Sequence, residues 1–553
     1  MQGRRVEGNR ERREQVYREE LLRRTNSKQP KKVGHGKLIL VLVILILIAG
    51  GVLAYILLNR QDLYKAPAAI VFDDSVTSEE KAFITSRFEK LKETRNYNIY
   101  NELKISAETT YKIDTNTVNK LNQNNISIVY DLLLPTVDFY DSELNISSSE
   151  AEKSTDIKWV SLREITPENR VVSIDDNYWF DSYNEGAKYR ILKLESSDAN
   201  ENSTVATVVS KFTNDTTTDG KENLGSSFPF DKQSYLSFAQ TGVTALTRAM
   251  TITLNGRANG NGAYFAENIK DFLSAKDITH ISNEVSFTDN CKGSTGTMSL
   301  CADWRSLDSI TAIGTDIVEL SGNHNNNYGT EANIKTIEKY HELGMKTVGG
   351  GINEEEAAKP LELEEKGVKI NFLAYNHSTS TKGNGELANG NKPGANGFTE
   401  EKAKADIAAA KERGGIILVD IQFSECYSYP AEGQEMPSCD APIAGQKAFF
   451  RQFIDWGADI VVGTQAHQPQ TFELYEGKPI YYGLGNLFFD QTYWPGTQRG
   501  YILTHYFDNK TGKLLNTRIS PTFYDTKHQV YLTDETTSEK FIARLMNSSP
   551  EGK

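Results

Sequence analysis

The chain has little of what a nucleic-acid binder, a zinc module or a polytopic membrane protein would need. Acidic residues outnumber basic ones, for a net charge of -13. A nucleic-acid partner, which asks for a basic stripe, is thereby disfavoured. Cysteine is limited to four residues, Cys291, Cys301, Cys426 and Cys439, and no C-x-x-C occurs among them, which argues against a structural zinc site. They fall instead into two short loops, "CKGSTGTMSLC" and "CYSYPAEGQEMPSC". Three pairings are open, and the local pairs 291–301 and 426–439 are favoured, as staples formed in an oxidising compartment. Long apolar runs are absent except for one.

That run is "LILVLVILILIAGGVLAYILL", Leu38 to Leu58, which carries no charge. As a helix rising about 1.5 Å per residue it would cross a hydrocarbon core of roughly 30 Å. A cleaved signal peptide is the competing reading, but its apolar part runs to only about 7–15 residues before a small-residue cleavage site. Here the run is longer and ends in Ile-Leu-Leu. Residues 1–37 are basic, with Arg4, Arg5, Arg12, Arg13, Arg23 and Arg24 among them. The expectation is a single-pass cell-membrane protein with residues 1–37 as a disordered cytoplasmic tail and the rest extracytoplasmic. No cysteine lies near the run, which argues against a lipoprotein anchor.

With 553 residues, three or four domains are expected at about 150 residues each. Residues 59–228 read as a linker and a smaller α+β accessory domain, rich in Ser, Thr, Asn and Asp. "SEEKAFITSRFEKLKETR" predicts an amphipathic helix with Ser78 as its cap. "ISIVYDLLLP" and "WVSLREITPENRVVSI" predict strands. No catalytic constellation occurs in this part.

From residue 229 to 525 the texture changes. Apolar runs such as "THISNEVSF", "VKINFLAYN", "IILVDIQF" and "ADIVVGTQ" alternate with helical stretches such as "TEANIKTIEKYHELG" and "GQKAFFRQFIDWG". "TEEKAKADIAAAKERGG" predicts a helix capped by Thr399 and ended by Gly414. Such alternation predicts a layered α/β domain, in which ligands gather at the carboxyl ends of strands. Glu284, Asn323, His324, Asn376, His377, Glu425 and His467 all stand at or near such ends. Residues 526–553 read as a polar C-terminal tail with a helix.

"SGNHNNNYG" opens on Gly322-Asn323-His324, an amide oxygen and an imidazole suited to a borderline divalent metal. The stretch resembles the Asn-Asn-His…Asp-Tyr-Gly motif of the bacterial capsule-synthesis protein CapA family, associated with poly-γ-glutamate biosynthesis. "SNEVSF" is similar to that family's Asn-Leu-Glu motif, and "TVGGGINEEEAAKP" to its Gly-rich turn. "DWGADIVVGTQAHQPQTFELYEGKPIYYGLGNLFFDQ" resembles its Gly-Ala-Asp…Gly-His-His-Pro-His…Leu-Gly-Asn-Phe…Asp-Gln run. The resemblance covers about residues 235–520 in the family's order. It implies a four-layer α/β sandwich like that of calcineurin-type metallophosphoesterases. It also implies an extracytoplasmic role in capsule synthesis, with an anionic cell-surface polymer or its precursor and other capsule-synthesis membrane proteins as partners.

This sequence departs from the pattern at the charged positions. In "TGVTALTR", Gly242 and Arg248 are kept but Val243 stands for the motif's Asp. Asn327 replaces the second Asp. "IQFSE" places Ile421 at the His of a His-Trp-Gly-x-Glu motif, with Glu425 kept. Thr464 and Gln465 replace two further His, leaving His467. A two-metal site needs several anionic or imidazole ligands. Glu284, Asn323, His324 and His467 leave a set for at most one divalent ion (Mn²⁺, Zn²⁺ or Mg²⁺).

Two functions follow as expectations. The first is binding or anchoring of an anionic polymer. The second is hydrolysis, of a phosphoester or an amide, in which His324 and Glu425 would handle protons. Glu425 has the plainer alternative of pairing with a nearby cation. Arg248 reads as either a phosphate or carboxylate clamp or a structural ion pair. Gly350, within the Gly349–Gly351 run, reads as an anion cradle or a tight turn. Asn486 reads as structural or as pointing into the site.

Overall fold

The computed structural model describes residues 70–94, 103–110, 126–182, 185–196, 234–289, 291–377, 386–426, 430–431 and 433–550. The basic tail 1–37 and the apolar run 38–58 lie outside the described residues. Among those that are described, no helix is long and apolar enough to cross a membrane. Residues 71–81 and those from 104 onward form one compact unit, and 82–103 belong to a second.

Two mixed sheets dominate it. The eight-stranded sheet runs in the order Lys346–Val348, Ile317–Glu319, Ile278–Asn283, Tyr235–Thr244, Arg499–Asp508, Leu514–Tyr524, Val530–Leu532, and Asn486–Phe488 pairs with Tyr235–Thr244 off this path. Its first four strands are parallel and the last three antiparallel. The six-stranded sheet runs Leu361–Glu365, Val368–Asn376, Ile416–Gln422, Ile460–Gly463, Lys478–Tyr481, Phe472–Tyr475. Its four inner strands are parallel, with an antiparallel strand at each edge.

Strand alternation sends alternate residues to opposite faces. Leu236, Phe238, Ile278 and Ile317 of one sheet meet Ile370, Phe372, Leu418 and Ile460 of the other in one cluster. The opposite face of the larger sheet, with Ala239, Val243, Ile281 and Val318, packs on helix residues Met250, Leu254, Leu273, Ile310 and Ile337. The opposite face of the smaller sheet packs Leu373, Val419 and Val461 on Ala403, Ile407, Phe450 and Phe453. The layers therefore run helices, sheet, sheet, helices.

The helix signals act locally as expected. Thr399 accepts from the Lys402 N–H at 3.2 Å and Gly414 closes Glu400–Arg413 at φ 74°. At Ser78–Thr94 the cap is Thr77 rather than Ser78. Thr77 Oγ1 accepts from Glu80 N–H at 3.2 Å, and Glu80 Oε2 accepts from Thr77 N–H at 2.8 Å. This reciprocal capping box needs an acid three residues on, and Thr77 has it.

The accessory strands Ile126–Asp138, Lys188–Ser196, Lys158–Ser161 and Asn169–Val171 form part of a separate sheet. Its Leu134 and Tyr189, with Trp179 and Phe180 of the short helix Trp179–Ser182, share a cluster with Tyr235, Tyr506 and Leu515 of the larger sheet. The segment expected as a C-terminal tail instead docks. Helix Glu535–Asn547 inserts Phe541, Ile542, Leu545 and Met546 into the intersheet cluster.

Candidate functional site

Parallel strands in both sheets place their carboxyl ends on one edge, and the polar residues expected there converge. Ser321 and Asn323 follow Ile317–Glu319, Asn376 and Gln422 end their strands, and Gln465 and His467 follow Ile460–Gly463. Asn376 Nδ2 donates to Ser321 O at 2.6 Å, and Gln422 Nε2 donates to Asn323 Oδ1 at 3.0 Å. These two bonds link the sheets across the edge.

The donors continue in one direction. Asn376 Nδ2 donates to Gln422 Oε1, Gln422 Nε2 to Gln465 Oε1, and Gln465 Nε2 to Glu425 Oε1 at 3.1 Å. From the other side His467 Nε2 reaches Glu425 Oε1 at 3.3 Å. The chain of amides thus ends on a carboxylate. Asn376, Gln422 and Gln465 are buried, whereas Asn323, His324 and Glu425 form its partly exposed lip.

His467 Nδ1 faces Asn486 Oδ1 at 2.9 Å, and Asn486 Nδ2 is committed to Thr497 O at 3.1 Å. The amide orientation follows from that second bond, so His467 Nδ1 carries a proton. Burial opposes the His467 charge, but Glu425, Glu284 and the Asn486 carbonyl outweigh it and raise its pKa to about 9. His467 is therefore an imidazolium that donates at both nitrogens.

His324 is built by the same logic. Asn327 Oδ1 already accepts from Leu300 N–H at 3.0 Å, while its Nδ2 donates to Glu386 Oε1 at 2.9 Å. That fixes the carbonyl toward His324 Nδ1, 2.8 Å away. Burial lowers the His324 pKa, partly offset by this bond, so the ring is neutral with its lone pair on Nε2. Asn327 is thus a support for His324, and as a neutral amide it adds no charge of its own behind the ring.

Glu284 is buried at the end of Ile278–Asn283, and neither carboxylate oxygen has a hydrogen-bond partner. Burial raises its pKa to about 7, with His467 and Arg248 lowering it and Glu425 and Glu319 adding to the rise. Glu284, His324, His467 and Glu425 therefore share one electrostatic neighbourhood. Gly322 permits it, because a Cβ there would sit 2.7 Å from Glu284 Cα. Gly322→Ala is expected to cost about 1–3 kcal/mol by overpacking. Denaturant unfolding of the variant against the parent checks this, and an unchanged midpoint would refute the close approach.

Arg248 sits near the cluster, but its guanidinium is engaged. Its Nε donates to Asp490 at 3.0 and 3.1 Å, and the group lies 5.2 Å over the Phe489 ring. Of its two sequence readings, the geometry is that of the ion pair. Arg248 also holds a positive φ of 47°, a strained backbone that Asp490 helps to fix by accepting from Ala249 N–H at 3.1 Å. Gly350 pairs with Ala395 in a two-residue ribbon, where a Cβ would lie 2.6 Å from Leu320 O. It serves close packing against Leu320. His377 stacks on Phe423 at 4.8 Å and packs on Phe449 at 4.3 Å, away from the cluster.

Strand alternation also decides which side chain of "IQFSE" meets the amides. Ile421 lies in the helix-facing cluster, and the side chain presented to the site is its neighbour Gln422. Gln422, Glu386 and Asp490 were passed over by the sequence reading. Alternation along "IILVDIQF" would have found the first. Both cysteine pairs form as favoured, Cys291–Cys301 and Cys426–Cys439, with Cα separations of 5.7 and 5.8 Å. The second staples the loop that carries Glu425.

A two-metal centre does not fit these residues. Gln422 and Gln465 are closed in bonds to each other and to Asn323 and Glu425. Among the described residues no three His, Cys, Asp or Glu side chains converge to hold an ion. The His467 imidazolium supplies positive charge beside Glu425 instead. The cavity beside Glu425 and His467 is about 10 Å³, room for a single water.

Residues 238–491 match a family model described as bacterial capsule synthesis protein PGA_cap. The capsule biosynthesis protein CapA of Bacillus anthracis is 25% identical over 219 residues, 39% of this chain and 50% of that protein. The PGA biosynthesis protein CapA of Bacillus subtilis (strain 168) is 26% identical over 232 residues, 42% of this chain and 57% of that protein. A probable polyglutamine synthesis accessory protein of Mycobacterium tuberculosis (strain ATCC 25618 / H37Rv) is 26% identical over 190 residues, 33% of this chain and 47% of that one. The chain spans about half the length of these curated relatives.

Proposed function

We propose, from the premise that residues 238–491 form a domain of the bacterial capsule synthesis protein family, that this chain is an accessory protein of capsule or poly-γ-glutamate-type polymer production. It acts by holding the polymer or its precursor at the strand-end edge, anchored to the cell membrane by residues 38–58. The four-layer order suits a metallophosphoesterase-like scaffold, turned here from catalysis to binding. The observation that carries this reading is the partly exposed lip of Asn323 and His324, which the buried amides Asn376, Gln422 and Gln465 hold in place. At that lip the Asn323 amide can donate and accept at once, as the amide links of such a polymer require. Calorimetric titration of the full chain with poly-γ-glutamate should give saturable heat that Asn323→Ala weakens. No heat at any ionic strength, with or without added divalent metal, would refute binding.

One observation favours a second reading. The unpartnered buried oxygens of Glu284 would suit a cation, and a reduced metal site would make the chain a hydrolase. Elemental analysis after exposure to millimolar Mn²⁺ or Zn²⁺ separates the two. The binding reading expects less than a tenth of an equivalent retained after desalting, and one equivalent lost in Glu284→Gln would favour the hydrolase.

A further inference from the structure

Away from the strand-end edge, a cavity of about 200 Å³ lies between the accessory strands and the larger sheet, lined by Arg170 and Arg518. It is smaller than the roughly 300–1,000 Å³ of drug-sized sites, which limits its occupant to something of amino-acid size or to one chain end. Arg170 is 4% exposed yet forms an ion pair with no carboxylate among the described residues. Its Nη2 donates to the main-chain carbonyls of Asp141 and Glu143, its Nε is buried without an acceptor, and its Nη1 makes no hydrogen bond. A guanidinium so buried is ordinarily paired, because its desolvation is costly. Burial pulls its pKa down to about 10 despite the charges of Asp141 and Glu143, which raise it.

Arg518 is one-third exposed and uses Nη1 on Asp181 Oδ2, with its guanidinium 4.4 Å over the Tyr178 ring. Its remaining donors carry no hydrogen bond among the described residues. The walls combine apolar Leu144 and Ile519 with the hydroxyls of Ser173 and Thr517. Two exposed carboxylates, Asp176 and Glu535, stand on the same lining. The lining therefore carries guanidinium charge at buried and partly exposed depth, and these two carboxylates at its exposed rim.

We propose that this cavity binds a short amino-acid-like ligand, its carboxylate held by Arg170 and Arg518 and its ammonium end facing Asp176 and Glu535. A guanidinium fork matches a carboxylate in bidentate geometry, and the apolar walls take a short aliphatic stem. The site does not depend on the amide chain described above.

The test is isothermal titration of the full chain with 4-aminobutanoate, with glutarate and inorganic phosphate as comparison ligands. 4-Aminobutanoate is expected to bind saturably and at least tenfold more tightly than either. Arg518→Gln, at a partly exposed position, should weaken it at least tenfold. Arg170→Gln, if circular dichroism shows it folded, should abolish it. Gln465→Ala should leave it unchanged, so a failure of polymer binding and a failure here would be told apart. Absence of 4-aminobutanoate binding, equal or tighter binding of glutarate or phosphate, or an unaltered affinity in Arg518→Gln would each overturn the assignment.

Discussion

Replacing His467 with alanine is expected to cost about 3 kcal/mol of stability near neutral pH, the largest single-residue loss in the strand-end cluster. The figure follows from the rise of the His467 pKa from 6.5 to about 9, at about 1.4 kcal/mol per unit for a wholly buried group. Its physical content is charge balance. Without the ring, Glu425 and Glu284 face each other's field with only the more weakly acting Arg248 as counter-charge, and the Asn486 carbonyl loses its donor. Removing one member of such a buried set leaves the rest uncompensated. The pH dependence has a definite sign. A raised folded-state pKa gives stability that is fully present below the unfolded value of 6.5 and is lost as pH rises through about 9. Denaturant unfolding of parent and His467→Ala should therefore differ most at pH 6 and least at pH 10. Glu425→Gln in the alanine background should recover part of the loss. A gap that stays constant from pH 6 to 10 would show that the imidazolium is not its source.

The same cluster shows what the sequence made visible. Periodicity and caps identified the parallel strands and the main helices, because each buried run is flanked by a cap or a glycine, as at Thr399 and Gly414. From there the strand ends led to Glu284, His324, Glu425 and His467, which the fold does bring into one neighbourhood. Arg248 and Gly350 were less legible. Their residue types suit an anion, but the outcome depends on partners remote in sequence, Asp490 and Ala395. Strand Leu514–Tyr524 was missed because Pro521 and its polar neighbours mask its alternation, although its pairing with Arg499–Asp508 is continuous through Pro521. The amides were hard to see for a different reason. Asn and Gln carry no charge, and only the packing of two sheets shows that Gln422 and Gln465 bond to each other. Glu386 reaches Asn327 from 59 positions away, a contact that no local pattern announces.

Between the sheets lies a second buried polar group that neither function uses, and its pH prediction has the opposite sign. His505 is wholly buried, with Nδ1 2.8 Å from Thr517 Oγ1 and Nε2 3.3 Å from Gln240 Oε1. Gln240 Nε2 donates to Asp420, whose Oδ2 is 3.2 Å from His280 Nε2. Burial lowers His505 to about 3, with His280 adding to the effect, and burial lowers His280 to about 4 against the pull of Glu319. A lowered imidazole pKa gives stability that is complete above the unfolded value of 6.5 and is lost as pH falls toward the folded value, because the unfolded chain takes the proton first. The carboxyls oppose this: burial raises Asp420 and Glu319, so each binds its proton more readily in the fold, and acid favours them. Wild-type stability alone would mix the two. His505→Gln separates them, since glutamine keeps polar contacts with Thr517 and Gln240 but does not titrate. At pH 5 the His505 contribution should be smaller by about 2 kcal/mol than at pH 7, from 1.5 units at about 1.4 kcal/mol each. The parent should therefore lose about 2 kcal/mol more than His505→Gln between pH 7 and pH 5, measured by denaturant unfolding at both. Equal losses in the two proteins would mean that the fold does not lower the His505 pKa.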